Sequence, residues 1–312
     1  MQWNQIKTLF ILCFIVLNIY LFVQFLEKQD RTSYETYDST ETTIEDQLEQ
    51  ENIKISADLD VLQKDSIINV APKEFTEKEA EQIEGLKNQD AQIIDNNLIV
   101  SHFEEPVPIP ENASEGSIAQ QVKSYTAFTD EFTYWGWDQQ SNILIFFQTK
   151  NDRPIYYNRF GSLLVYLNED NEMVYYTQAT LGKDEELGGA KNLSKPISAI
   201  STLFRDNQIV QGDEVTFIEN GYYTRIESDT GTQVFAPNYR ITVNDEKNFF
   251  VNAMELFVST DSDTKFISET ISKNLSLYKR MNDDVEWKDA FVKYVDNLVV
   301  EESIKTKRSE GE

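Results

Sequence analysis

Histidine and cysteine are almost missing from this sequence, and basic side chains are scarce. Its 312 residues hold one His, one Cys and 28 Lys plus Arg against 54 Asp plus Glu. Each shortage excludes something. Cys13 alone cannot close a disulfide within the chain. A Ser-His-Asp or Cys-His arrangement would have to use His102, yet no G-x-S-x-G elbow is present and Cys13 lies in an apolar run. Zinc needs several His or Cys ligands, which do not exist here. A net charge of -26 excludes nucleic acid, whose phosphates demand clustered Lys and Arg, and it opposes adsorption onto an anionic lipid surface. No Walker loop or dinucleotide fingerprint occurs, and Gly182, Gly188 and Gly189 read as part of a polar loop without a P-loop lysine.

Carboxylates are abundant, but no pair stands out from 54 candidates as a glycosidase or aspartic-type site. Asn168, Asp170, Asn171 and Glu172 carry oxygen ligands of the kind calcium takes. Their spacing is not that of an EF-hand, and a solvated turn explains them more simply. No catalytic, cofactor or metal residue is therefore assigned, and the chain is expected not to be an enzyme.

What is present begins with "TLFILCFIVLNIYLFVQFL", residues 8–26, which carries no charge. Nineteen residues at about 1.5 Å each give roughly 28 Å, enough to cross a hydrocarbon core. The run ends in "QFLEKQDRTS" with no small-residue cleavage site, so a retained signal anchor is expected rather than a removed leader. Bulky Leu12 before Cys13 argues against a lipoprotein site. Lys7 and the terminal amine are balanced by Lys28 and Arg31, so charge decides orientation weakly; a short inner tail with the large domain outside is the expectation. Asn18 sits mid-run, and Phe14, Asn18, Leu21 and Phe25 recur at helical spacing. An amide in lipid seeks a partner, and one from a second membrane helix contributes about 0.6 to 2 kcal/mol. The stripe is expected to be a partner-binding face; the alternative is that Asn18 bonds back to its own helix or is simply tolerated.

Outside the run, residues 27–51 are acid-rich and read as a spacer, extended or partly helical near its end. A strand is expected over 65–72, then a helix over 75–88 with Thr76 as N-cap and Glu79 three residues on. A hairpin around Asn96 and Asn97 follows, then a loop over 104–116 whose three prolines exclude a central strand. Branched and aromatic strands flank a turn at 168–172. A helix over 193–209, with Ser194 capping and Pro196 in its first turn, leads into a three-strand meander. The pattern predicts an α+β fold in which antiparallel sheets are each packed by a helix. Beyond residue 258, Ile267, Ile271, Leu275 and Tyr278, then Trp287, Phe291, Val295 and Leu298, predict two amphipathic helices docked on the domain and a frayed end. The segments are 1–7 inner tail, 8–26 membrane helix, 27–51 spacer, 52–258 outer domain and 259–312 helical tail. In the tyrosine doublets, one member of each pair is expected to face the core and one outward; Tyr157, Tyr176, Tyr222 and Tyr223 are the candidate outer binding surface.

The order of "W-x-x-I-K-T-x-F" (Trp3, Ile6, Lys7, Thr8, Phe10), "LNIYLF", "FFQTKNDRPIYYN", "YYTQATL", "NGYYTR" and "FAPNYRITVN…FFVNA" resembles the YycI (WalI) family. These are membrane-anchored accessory proteins of the WalK–WalR (YycG–YycF) two-component system, which controls cell-wall metabolism in low-GC Gram-positive bacteria. The resemblance spans residues 1 to about 258 and implies YycH-like modules, a single pass through the cell membrane with the N-terminus cytoplasmic, and an extracellular domain. It also implies a YycH-like protein and a WalK-like sensor histidine kinase as partners, contacted partly through membrane helices. It leaves the sign of regulation and the oligomeric state open. The helical tail departs from the pattern. The alternative function is an anchored binding module for a wall fragment or peptide that acts without the kinase; a carboxylate-dependent hydrolase has the least support.

Overall fold

The computed structural model describes residues 7, 10–22, 44–110, 112–224 and 231–309, with side chains to residue 300. Most of the expected spacer, Phe25 and the last residues of the chain lie outside that set. The chain divides into two compact units, Met1–Gln47 and Leu48–Glu312. In the first, α1 (residues 10–22) is helical and every one of its side chains is exposed. No helix among the described residues is long and apolar enough to cross a membrane.

Along the chain follow α2 (Ile44–Gln50), β1 (Lys54–Ile55), β2 (Lys64–Pro72), α3 (Glu77–Glu84), β3 (Gln89–Ile94), β4 (Leu98–Pro108) and α4 (Glu115–Tyr125). Next come β5 (Phe132–Asp138), β6 (Ile143–Lys150), β7 (Arg153–Pro154), β8 (Ser162–Leu167), β9 (Glu172–Ala179), β10 (Leu181–Asn192) and α5 (Pro196–Arg205). The chain ends with β11 (Glu214–Tyr223), β12 (Gln233–Val243), β13 (Lys247–Asn252), β14 (Val258–Ser259), α6 (Asp263–Tyr278) and α7 (Lys288–Ser309).

Two mainly antiparallel sheets result, as the α+β expectation required. Sheet I runs β3-β4-β9-β8-β6-β5, with β7 beside β6. Its central strands read "ILIFFQ" and "SLLVYL" without polar alternation, because both faces are covered. On one face Leu144, Phe146, Leu163 and Val165 pack with Ile83 of α3 and Ile118 and Val122 of α4. On the other, Ile143, Ile145, Phe147, Leu164 and Tyr166 pack with Phe266, Ile267 and Ile271 of α6 and Phe291 and Val295 of α7. Each such side chain contributes about 1.5–3 kcal/mol on burial. Both helices expected in the tail therefore form and belong to this core.

Sheet II runs β1-β11-β12-β13-β14, while β2 pairs with β10 and with the start of β12. The meander appears as expected, and Ile197, Ile200 and Leu203 of α5 are buried. The lead-in to the unit is fastened to this sheet. Leu48 and Ile53 are buried, β1 lies parallel to β11, and Lys54 N and Ser56 N donate to Asp213 O (3.0 Å) and Val215 O (3.0 Å). The sheets meet where Tyr156 N donates to Tyr222 O (2.9 Å) and Gly221 lies under the Tyr156 ring. A Cβ on Gly221 would stand 2.2 Å from that ring, so this close approach requires glycine.

Thr76 and Glu79 form the expected capping box, and Asp95 and Asn96 take the left-handed backbone that the hairpin needs. Other expectations need correction. Residues 104–108 continue β4 instead of forming a loop. The prolines are tolerated because β3 ends opposite Phe103, which leaves β9 as the only neighbour, and the register shifts before Val107. Gly182, Gly188 and Gly189 lie within strand β10, not in a loop, at the two register shifts that interrupt its pairing with β2. Helix α4 and strand β5 were not expected. Lys195, not Ser194, is the N-cap of α5, without a side-chain bond; the Ser194 carbonyl accepts from the Tyr239 hydroxyl (2.8 Å).

Candidate interaction surfaces

On α1, Phe14 and Leu21 are 61% and 53% exposed and share one helical face with exposed Asn18. The fourth residue of that stripe, Phe25, lies outside the described residues. The opposite face carries Leu12, Cys13, Val16, Leu17 and Tyr20, so apolar side chains surround the helix.

The tyrosines behave differently from the expected outer surface. Tyr176 is fully buried against Phe103, with ring centroids 5.9 Å apart, and burial raises its pKa. Tyr222 is also fully buried; its hydroxyl donates to Asp65 (3.1 Å) and its ring lies 4.9 Å beneath the Arg153 guanidinium. Burial pushes Tyr222 up to about 12, against the pull of Arg153. Neither belongs to an outer surface. The assumption of one open face per sheet fails, since β9 lies between two covered faces and Tyr222 sits at the seam between the sheets. Tyr157 and Tyr223 are part-buried, and their hydroxyls donate to Asp263 (3.0 Å) and Asp261.

These carboxylates belong to an arrangement that the sequence reading missed. Trp135 of β5 packs edge-on against Tyr156 (5.5 Å) and Tyr157 (5.7 Å), and Phe147 and Phe250 complete the cluster. Its Nε1 donates to Asp263 Oδ1 at 2.7 Å. The Arg240 guanidinium lies 4.4 Å over the Trp135 ring and donates to Glu219 (2.9 Å) and Asn248 (3.0 Å). Tyr156 donates to the same Glu219 oxygen (2.7 Å). Burial raises the Asp263 pKa, partly offset by the Trp135 and Tyr157 donors, and Asp138 adds to the rise. Sheet I, sheet II and the start of α6 are thus pinned at one place. The available signal was "YWGWD", two tryptophans alternating in a strand, together with an acid in the first turn of the next long helix.

His102 stacks on Trp287 (5.7 Å) and tilts against Tyr175 (5.1 Å). Burial lowers its pKa, with Asp90 and Glu104 opposing. Trp287 Nε1 donates to Asp90 (2.7 Å), so His102 sits within the contact that holds the start of α7. The 168–172 turn satisfies itself: Asn168 Oδ1 accepts from Asp170 N (3.0 Å) and Glu172 N (2.9 Å). Among the described residues no cluster of His, Cys, Asp and Glu is arranged to hold a metal.

Comparison with known proteins adds the following. The family model described as YycI protein matches residues 31–254. No curated protein sequence matches. Among solved structures, an uncharacterized protein from Eubacterium rectale aligns at 8% identity over 68% of this chain and 91% of its own, with a TM-score of 0.39. YycH from Bacillus subtilis aligns at 11% identity over 60% of this chain and 52% of its own, with a TM-score of 0.36. At these values both are remote likenesses.

Proposed function

Because the chain belongs to the YycI family, we propose that it is a non-catalytic, membrane-anchored regulator acting with a YycH-like protein on a WalK-like sensor histidine kinase. The observation that carries the reading is the uncharged run over residues 8–26 with Asn18 inside it, leading into a family-matched domain. The apolar circumference of α1 supports insertion in lipid, and family membership supports a matched domain outside the cell. Phe14, Asn18, Leu21 and Phe25 form the face that meets a partner helix, where a carboxamide finds the acceptor that lipid lacks.

Mechanistically, the anchor biases the packing of kinase membrane helices between two arrangements, and the outer domain sets its position. Only a difference in affinity for the two arrangements shifts that equilibrium. Replacing residues 1–27 by an unrelated single-pass anchor tests this, with reporter output and co-purification of the kinase as readouts. Loss of both is expected; full retention would place the regulatory contact in the outer domain instead. Asn18→Leu is the finer probe. It should weaken co-purification severalfold, and unchanged capture would remove the amide from the mechanism.

A further inference from the structure

A groove of about 560 Å³ lies at the seam where sheet I meets β2 and β10. Lys73 follows β2 and is tied across the seam, its backbone N donating to Thr180 O at 2.7 Å. Lys150 ends β6 and is only 7% exposed. Its ammonium donates to Glu131 Oε2 (2.8 Å) and to nothing else among the described residues. An ammonium has three donors, and Lys150 lines the groove, so the two that Glu131 leaves unfilled are available there to a further acceptor.

The Lys73 ammonium bonds Glu79 (2.6 Å) and lies 4.9 Å over the ring of Phe128. Phe128 holds a left-handed backbone, φ 54°, which is costly for a residue of its size, and its ring stacks on Phe75 at 6.1 Å. The result is an apolar floor beside two ammonium groups. Glu131 interacts electrostatically with both Lys150 and Lys73, and its side chain is 59% exposed. It acts as an internal stand-in, a carboxylate held on Lys150 and on Gln148 Nε2 (2.9 Å) from a position that solvent reaches, with the Lys73 charge acting on it from beyond bonding contact. Asp130 and Asp184 line the same groove, and Lys183 stands at its rim.

We propose that this groove binds a short peptide through both of its free termini. The peptide carboxylate takes the place of Glu131 on Lys150, with the Lys73 charge adding its attraction, an adjoining apolar side chain rests on Phe128, and the amine meets Asp130 and Asp184. A simple anion is disfavoured because three carboxylates line the groove with the lysines; a cation is disfavoured by the lysines themselves. A ligand with both charges meets neither objection. The inference is independent of any action on a kinase.

The test uses the full chain in detergent micelles and titration calorimetry with the dipeptide Ala-Ala, its C-terminal amide, its N-acetyl derivative and inorganic phosphate. Ala-Ala should bind, with the amide and the N-acetyl form each weaker by at least tenfold. Lys150→Met should abolish binding, and Lys73→Met, at a more exposed position, should weaken it by about tenfold with unchanged circular dichroism. Glu131→Gln should strengthen it severalfold by removing the internal competitor. Absence of heat from every probe, phosphate binding as tight as the dipeptide, equal binding of the amide, or weaker binding by Glu131→Gln would each overturn the proposal.

Discussion

The two faces of sheet I are buried by different means. One is covered by α3 and α4, of 8 and 11 residues, each of which directly precedes a strand of the same sheet, β3 and β5. The other is covered by α6 and α7, of 16 and 22 residues, which lie beyond the family-matched span 31–254. The short helices dock with few large apolar residues. The long pair is fastened by polar contacts: Trp135 and Tyr157 to Asp263, Tyr223 to Asp261, Trp287 to Asp90, and Arg159 to Asn274. A cover that arrives last in the chain pays the larger loop-closure entropy, and directional bonds at its ends fix its register where proximity does not.

Removing the distant cover should do the most damage. A chain ending after Thr260 exposes Ile143, Ile145, Phe147, Leu164 and Tyr166 together. Loss of cooperative unfolding and strong dye binding to apolar surface are expected; a cooperative melt near that of the full chain would show that α6 and α7 are dispensable. Single cavities should distinguish the faces next. Phe291→Ala should cost about 3–5 kcal/mol and Ile118→Ala about 2–5 kcal/mol, with the former at least equal to the latter in urea unfolding.

Acid should act on the two covers with opposite sign. Glu79 is held at about 2, chiefly by its bond with Lys73 and then by Thr76. Its contribution is full above the ordinary 4.5 and is lost as pH falls toward about 2. Asp263 is raised above its ordinary 3.8 by burial, so the folded state binds its proton more tightly and acidification down toward 3.8 adds stability. Asp263→Asn should remove that gain and Glu79→Gln should remove the acid loss, measured as urea midpoints between pH about 3 and about 7. Matching shifts in the two variants would break the contrast. The smallest effect is expected from Thr76→Ala, which deletes one half of the capping box at a cost of about 0.5–2 kcal/mol in thermal unfolding.

How far the sequence could be read depended on whether a residue's neighbours were local. The Thr76–Glu79 box, the 168–172 turn and the apolar steps of α6 and α7 rest on contacts within a few residues, and they were legible. Strand β10 was not, because "GKDEELGGAKN" has no alternating apolar face and is a strand only through its pairing with β2. Helix α4 hid behind the prolines with just Ile118 and Val122 buried. Tyr176 and Tyr222 were assigned outward because alternation distinguishes the two faces of a strand but not whether each is covered. The Trp135–Asp263 contact joins residues 128 positions apart, and no spacing rule reaches that far.

The parallel strand that joins the lead-in to β11 has a mechanical consequence. A force applied along β1 would load the bonds from Lys54 and Ser56 side by side, in shear, instead of peeling them open one at a time. Such a force would therefore reach β11, one strand in from the edge of sheet II, as a displacement before it could detach the first strand.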